Sequence, residues 1–133
     1  MVTLLIGKKG AGKTKKLIAL ANEAVATSSG NVVVIEKGAK LTYDVTHKAR
    51  LIDTDVYGIK GYNMLLGFIS GICAGNYDVT DIFVDSALKI VGNDVSAFEE
   101  MLAKLEKITA DVNLVMTSSI AVEECPAGIK AYV

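Results

Sequence analysis

The chain has little of what metal centres and disulfide frameworks are built from. Its 133 residues include one histidine, His47, and two cysteines, Cys73 and Cys125, neither in a CxxC pair. A zinc site of the usual kind needs more ligands than that. Two thiols in a chain large enough for its own core point to a reducing compartment, so the expected location is cytoplasmic. Cys73 lies in an apolar run and is expected in the core. Charge of one sign is also missing. The formal net charge is −1, and no Lys/Arg-rich tail or block of like charge occurs, so nucleic-acid binding has no support. Long apolar runs are absent too. The stretch from Tyr62 to Ala74 falls well short of the roughly 20 residues that span a bilayer. The apolar opening stops at Gly7 with no basic region before it, so no signal peptide and no membrane partner are expected. No repeat, low-complexity tract or linker is visible, and the single proline, Pro126, marks a loop.

What is present is a globular composition: 51% hydrophobic and 22% charged residues. The length fits a single domain over 1–133, able to bury roughly two-thirds of its unfolded surface. Val2–Ile6 reads as a buried strand. Leu17, Ile18, Ala21, Ala24 and Val25 recur at helical spacing, giving a helix over about 13–26 that ends at Ser28-Ser29-Gly30, with Gly30 able to take the left-handed conformation. Val32–Ile35 is a continuous β-branched run with no polar face, as a strand covered on both sides requires. Residues 37–60 carry little pattern beyond a short strand over Arg50–Asp53. A helix is expected over about 62–74, with Gly67 and Gly71 either weakening it or permitting close packing. Ile82-Phe83-Val84-Asp85 is a further strand ending in an acid. Ser96 to Glu99 has capping-box spacing, and Phe98, Met101, Leu102, Leu105 and Ile108 then form one apolar stripe. Val112–Thr117 is the next strand, and Ile129–Val133 is expected as a terminal one. Strands alternating with helices predict an α/β three-layer sandwich with a mostly parallel central sheet. Ligands of such sheets bind at the C-terminal strand ends, where Glu36, Asp85 and Thr117 fall beside a glycine-rich turn.

That turn carries the chemistry. Gly7-Lys8-Lys9-Gly10-Ala11-Gly12-Lys13-Thr14 matches the P-loop pattern G-x-x-x-x-G-K-[ST] in full. Chance matches at average composition arise on the order of once in a few hundred chains of this length. Here the match also follows a strand and opens a helix, as the motif requires. Glycines let consecutive N–H groups converge on one anion, and the helix N-terminus adds unpaired donors. Lys13 is expected at the β- and γ-phosphates and the Thr14 hydroxyl at magnesium. Lys8 and Lys9 either touch phosphate or raise the local potential. Asp85 is the expected second magnesium partner.

With these residues in hand, the chain resembles the RecA-like branch of P-loop ATPases, the group that includes RecA, RadA and KaiC. The resemblance spans Val2 to about Thr117 in sparse motifs: the P-loop, a strand ending in Glu36 one helix later, and Asp85-Ser86 where many other ATPases have an Asp-Glu pair. It implies ATP and Mg2+ as ligands, Glu36 as activator of the attacking water and Thr117, or Ser118 beside it, as a γ-phosphate sensor. The segment after Met116 is too brief for the DNA-binding loops of recombinases, so strand exchange is not implied. Arg50, the only arginine, is the one internal candidate for an arginine finger, including across a subunit boundary in a homo-oligomer; otherwise it pairs with Asp53 or Asp55. The expected activity is slow Mg-dependent ATP hydrolysis. A non-catalytic nucleotide-binding or switch module, alone or with a protein partner, and a nucleoside kinase remain as alternatives. Tyr43 and Tyr57 are candidates for stacking on a base.

Overall fold

In the computed structural model, which describes residues 1–133, the chain runs β1 (Val2–Ile6), α1 (Lys13–Thr27), β2 (Asn31–Glu36), β3 (Arg50–Asp53), α2 (Gly61–Gly75), β4 (Val79–Val84), α3 (Ala87–Ile90), α4 (Val95–Ile108), β5 (Asn113–Ser118), a 3-10 turn at Val122–Glu124 and α5 (Ala127–Lys130). All five strands are parallel, in the order β1-β5-β4-β2-β3. Successive strand residues point to opposite faces, so an unbroken apolar run must be covered twice. Val32, Val34, Phe83 and Val115 pack with Leu17 and Ala21 of α1 on one face. Val33, Ile35, Ile82, Val84, Leu114 and Met116 pack with α2 and α4 on the other. The result is a three-layer α/β sandwich.

The connections obey one rule of hand. Moving from β1 to β2, and from β2 to β3, the chain crosses on the α1 face; Leu41, Val45 and Ala49 of the second connection join the α1 cluster. The returns from β3 to β4 and from β4 to β5 run through α2 and α4 on the opposite face. Reversing direction and face together keeps the hand, so all four crossovers share it, as the strong preference for one crossover hand demands. No helix is long and apolar enough to cross a membrane.

Helix α4 follows its stripe. Phe98, Met101, Leu102 and Leu105 are fully buried, each contributing roughly 1.5–3 kcal/mol by leaving water. Ile108 departs from it and is 38% exposed, as the last residue of the helix. The helix starts two residues earlier than the capping box implies. Asp94 is the N-cap, and its carboxylate accepts from the Ala97 N–H at 3.0 Å.

Three other expectations are corrected. Gly30 does not adopt the left-handed conformation. A Cβ there would lie 2.2 Å from the Asp78 carbonyl oxygen and 2.6 Å from Thr80 Cγ2, so close backbone approach is what demands glycine. Gly67 and Gly71 mediate no helix contact; a Cβ at either would meet open space. Residues 129–133 form no strand. Pro126 sets the φ that starts α5, and its carbonyl accepts from the Ile129 and Lys130 N–H groups. From this segment, Tyr132 O alone meets the free edge of β1, accepting from Leu4 N at 2.8 Å. Cys73 is half-buried against the core, and burial pushes its thiol pKa up.

Candidate functional site

Strand register brings the strand-end residues into one row. Leu5 pairs with Thr117. The partners Val84 and Met116, then Ile35 and Val84, place Thr117, Asp85 and Glu36 at successive strand tips, and Glu36 pairs with Asp53. The β1 and β4 tips are therefore separated by the tip of β5, which slots Thr117 between the glycine loop and Asp85.

The loop from Gly7 to Thr14 is built as the glycines allow. Gly12 caps α1 at φ 88°, ψ 15°, a region that side chains with a Cβ rarely enter. Gly7 stands at φ 151°, where an added Cβ would lie 3.0 Å from Ala11 Cβ. Lys13 Nζ donates to the Lys8 carbonyl at 2.9 Å, bridging the loop. Behind it, the N–H groups at the start of the fifteen-residue α1 have no helical partners of their own and face outward.

Asp85 is the hub. Its Oδ1 accepts from Thr14 Oγ1 at 3.0 Å and from Thr117 Oγ1 at 2.7 Å. Thr117, 1% exposed, in turn accepts from the Ser86 N–H at 2.7 Å. Ser86 takes the left-handed conformation, φ 58°, costly for a residue with a side chain. Ser118 takes no part. Its Oγ is buried without a partner.

Glu36 is 2% exposed, and its carboxylate accepts the N–H of Lys40 at 2.9 Å and that of Leu41 at 3.2–3.3 Å. Burial is the largest influence on its pKa and raises it; the two amides oppose this, and the negative charges of Asp53 and Asp85 add to the rise. The acid expected to face the attacking water is thus occupied in holding the turn after β2.

These elements enclose a cavity of ≈ 660 Å³, within the range of small-molecule sites. Gly10, Gly12, Lys13, Thr14, Asp85 and Thr117 line it, whereas Glu36 and Lys8 do not. Lys8 instead pairs with Glu123 at 3.6 Å on the surface. Five lysines reach the wall, Lys9, Lys13, Lys15, Lys40 and Lys89, against one carboxylate, Asp85. None of the five is in an ion pair. Sequence reasoning missed Lys40 and Lys89. Their signal was positional: each follows a strand-tip acid by four residues, Glu36 and Asp85 respectively. A second cavity, ≈ 440 Å³, lies at the opposite strand ends, with Glu23 and Asp81 and no lysine in its wall; an anion is repelled there.

The donor set fits magnesium. Thr14 Oγ1 and Asp85 Oδ1, hydrogen-bonded at 3.0 Å, are a hydroxyl and a carboxylate oxygen, the hard donors magnesium takes. No cluster of three His, Cys, Asp or Glu side chains surrounds them. An ion here would have to complete its shell with water or ligand oxygens, as magnesium commonly does.

Arg50 sits at the other end of its strand from this edge, and it forms no ion pair. Asp55 pairs with Lys37 at 2.7 Å, and Asp53 accepts from the Gly38 and Asp55 N–H groups. The expected Arg50 pair with either acid is therefore not made, and Arg50 does not serve the cavity of its own chain. Tyr43 and Tyr57 are exposed, 99% and 57%, and neither lines the cavity. No family model matches the chain, and no curated protein matches it closely enough to count as a relative.

Proposed function

We propose that this chain is a small RecA-like P-loop protein that binds a nucleoside triphosphate, ATP by expectation, together with Mg2+, and hydrolyses it slowly. The observation that carries the reading is Asp85 Oδ1 joined to both Thr14 and Thr117 beside a full P-loop, in a lysine-lined cavity. Each part has a use in phosphoryl transfer, which asks a protein mainly to position reactants and neutralise charge. The loop N–H groups and Lys13 hold the phosphates. Thr14 and Asp85 hold the magnesium, which when bound neutralises charge on the β- and γ-phosphates. Thr117 fixes Asp85 from the tip of β5, and to donate to a γ-phosphate oxygen its hydroxyl must turn its single proton away from Asp85. In the reaction a water oxygen bonds to the γ-phosphorus, the bridging bond to the β-phosphate breaks, and ADP, inorganic phosphate and a proton leave.

Glu36 suits the role of base by its raised pKa, yet its oxygens are engaged by the Lys40–Leu41 turn. Activation of water by Glu36 requires that turn to release it. This same observation favours the second reading, a non-catalytic module in which ATP is a structural or switching ligand. Phosphate release by wild type, Lys13→Ala and Glu36→Gln separates the two. Slow release from wild type, lost in both variants while Glu36→Gln still binds ATP, supports the hydrolase. Binding without release from wild type supports the module.

A further inference from the structure

The glycine loop and Lys13 account for one side of the cavity. Opposite them stand two lysines that belong to no motif. Lys40 leaves the tip of β2 and Lys89 the tip of β4. Both side chains belong to exposed residues without a salt-bridge partner. With five ammonium groups and one carboxylate in its wall, the cavity has a formal excess of four positive charges in a chain of net charge −1. Unpaired like charges gathered in one cleft repel one another, and an anion relieves that cost.

The backbone around each lysine is fixed. Glu36 takes the N–H groups of Lys40 and Leu41, so a buried carboxylate sets the Lys40 turn. Lys89 lies in α3, a four-residue helix held between two residues forced into the left-handed conformation, Ser86 at φ 58° and Asn93 at φ 61°, both in the cavity wall. Strain of this kind persists where the surroundings over-determine it, and it collects at ligand clamps.

Resting on the nucleotide-binding reading above, we infer that Lys40 and Lys89 form a second clamp that grips the γ-phosphate, so that the site discriminates triphosphate from diphosphate. The direction of the phosphate chain supports this. Magnesium, if bound, would be held by Thr14 and Asp85, beside the tip of β4. The γ-phosphate then faces the β4 and β2 tips, from which Lys89 and Lys40 project. In this arrangement Glu36 is a positioning residue that acts through Lys40.

The test is calorimetry with Mg·ATP and Mg·ADP on wild type, Lys40→Ala, Lys89→Ala, Lys89→Arg and Lys13→Ala, with circular dichroism as the fold control. Wild type is expected to bind ATP more tightly than ADP. Lys40→Ala and Lys89→Ala are each expected to weaken ATP roughly ten- to a hundredfold, the range of a charge-assisted hydrogen bond, leave ADP nearly unchanged, and so erase the preference, whereas Lys13→Ala should lose both nucleotides. Lys89→Arg should keep it. Equal losses for ATP and ADP, or no loss in either alanine variant while Lys13→Ala abolishes binding, overturns the clamp but leaves the nucleotide reading standing. Absence of binding by folded wild type overturns both.

Discussion

At the scale of single residues, Asp85 and Glu36 illustrate two fates of a strand-tip acid. Asp85 accepts two side-chain hydroxyls and faces a cavity rich in lysine. Asp85→Asn keeps the shape and one acceptor but removes the charge a hard divalent ion needs. Mg·ATP affinity is expected to fall by about tenfold or more, with little change in binding measured in excess chelator; a magnesium-independent loss would contradict the assignment. Glu36 is buried by the turn it holds, and its pKa is raised above the usual 4.5, with desolvation as the first cause. A raised native pKa means the folded protein holds the proton more tightly than the unfolded chain. The stabilising contribution of protonation is complete below the unfolded value and is lost as pH climbs through the native one. Glu36→Gln should therefore gain stability relative to wild type as pH rises above 4.5, levelling off once Glu36 is ionised. Urea midpoints of both proteins, taken from about pH 4 to about pH 8, read this directly. Parallel pH profiles would count against it.

At the scale of elements, helix starts and glycine roles were the hardest to read. Ser96 and Glu99 have the spacing of a capping box, but Asp94 precedes them and takes the cap. A short acid two residues earlier can cap the same helix start, and periodicity alone cannot rank the two. Asp94→Ala should destabilise the protein by about 1 kcal/mol, as loss of a cap does, whereas Ser96→Ala should fall within about 0.5 kcal/mol of wild type. Denaturant titration decides; the reverse order would restore the capping box. Gly30 and Gly67 show why a glycine in a sequence is ambiguous. One is demanded by a carbonyl 2.2 Å from the missing Cβ, and the other faces open space. Neither circumstance leaves a trace in local pattern, since both depend on what distant segments bring near.

At the scale of the whole molecule, the sheet was legible because Val32–Ile35 and Ile82–Val84 have no polar face, which only a doubly covered strand tolerates. The strand, glycine turn and helix that carry the G-x-x-x-x-G-K-[ST] pattern were legible because they follow one another in the chain. Asp85 and Thr117 were placed from strand ends, and register brought them together. The crossover from β2 to β3 was not legible. It contains no regular helix, yet Leu41, Val45 and Ala49 cover the sheet as a helix would, at a spacing of four. Its turn also carries Lys40 into the cavity, a consequence of the Glu36 hydrogen bonds rather than of any motif. The terminal strand expected at Ile129–Val133 rested on two β-branched residues, too few to outweigh the turn Pro126 begins.

The central claim is that a glycine loop, Lys13 and the Thr14–Asp85 pair together bind a triphosphate with magnesium. Isothermal titration of folded wild type with ATP, with and without Mg2+, beside Lys13→Ala, tests it most directly. The expected result is one site per chain with affinity that rises on adding magnesium and collapses in the variant. Heat of dilution alone from wild type in the presence of magnesium would contradict it.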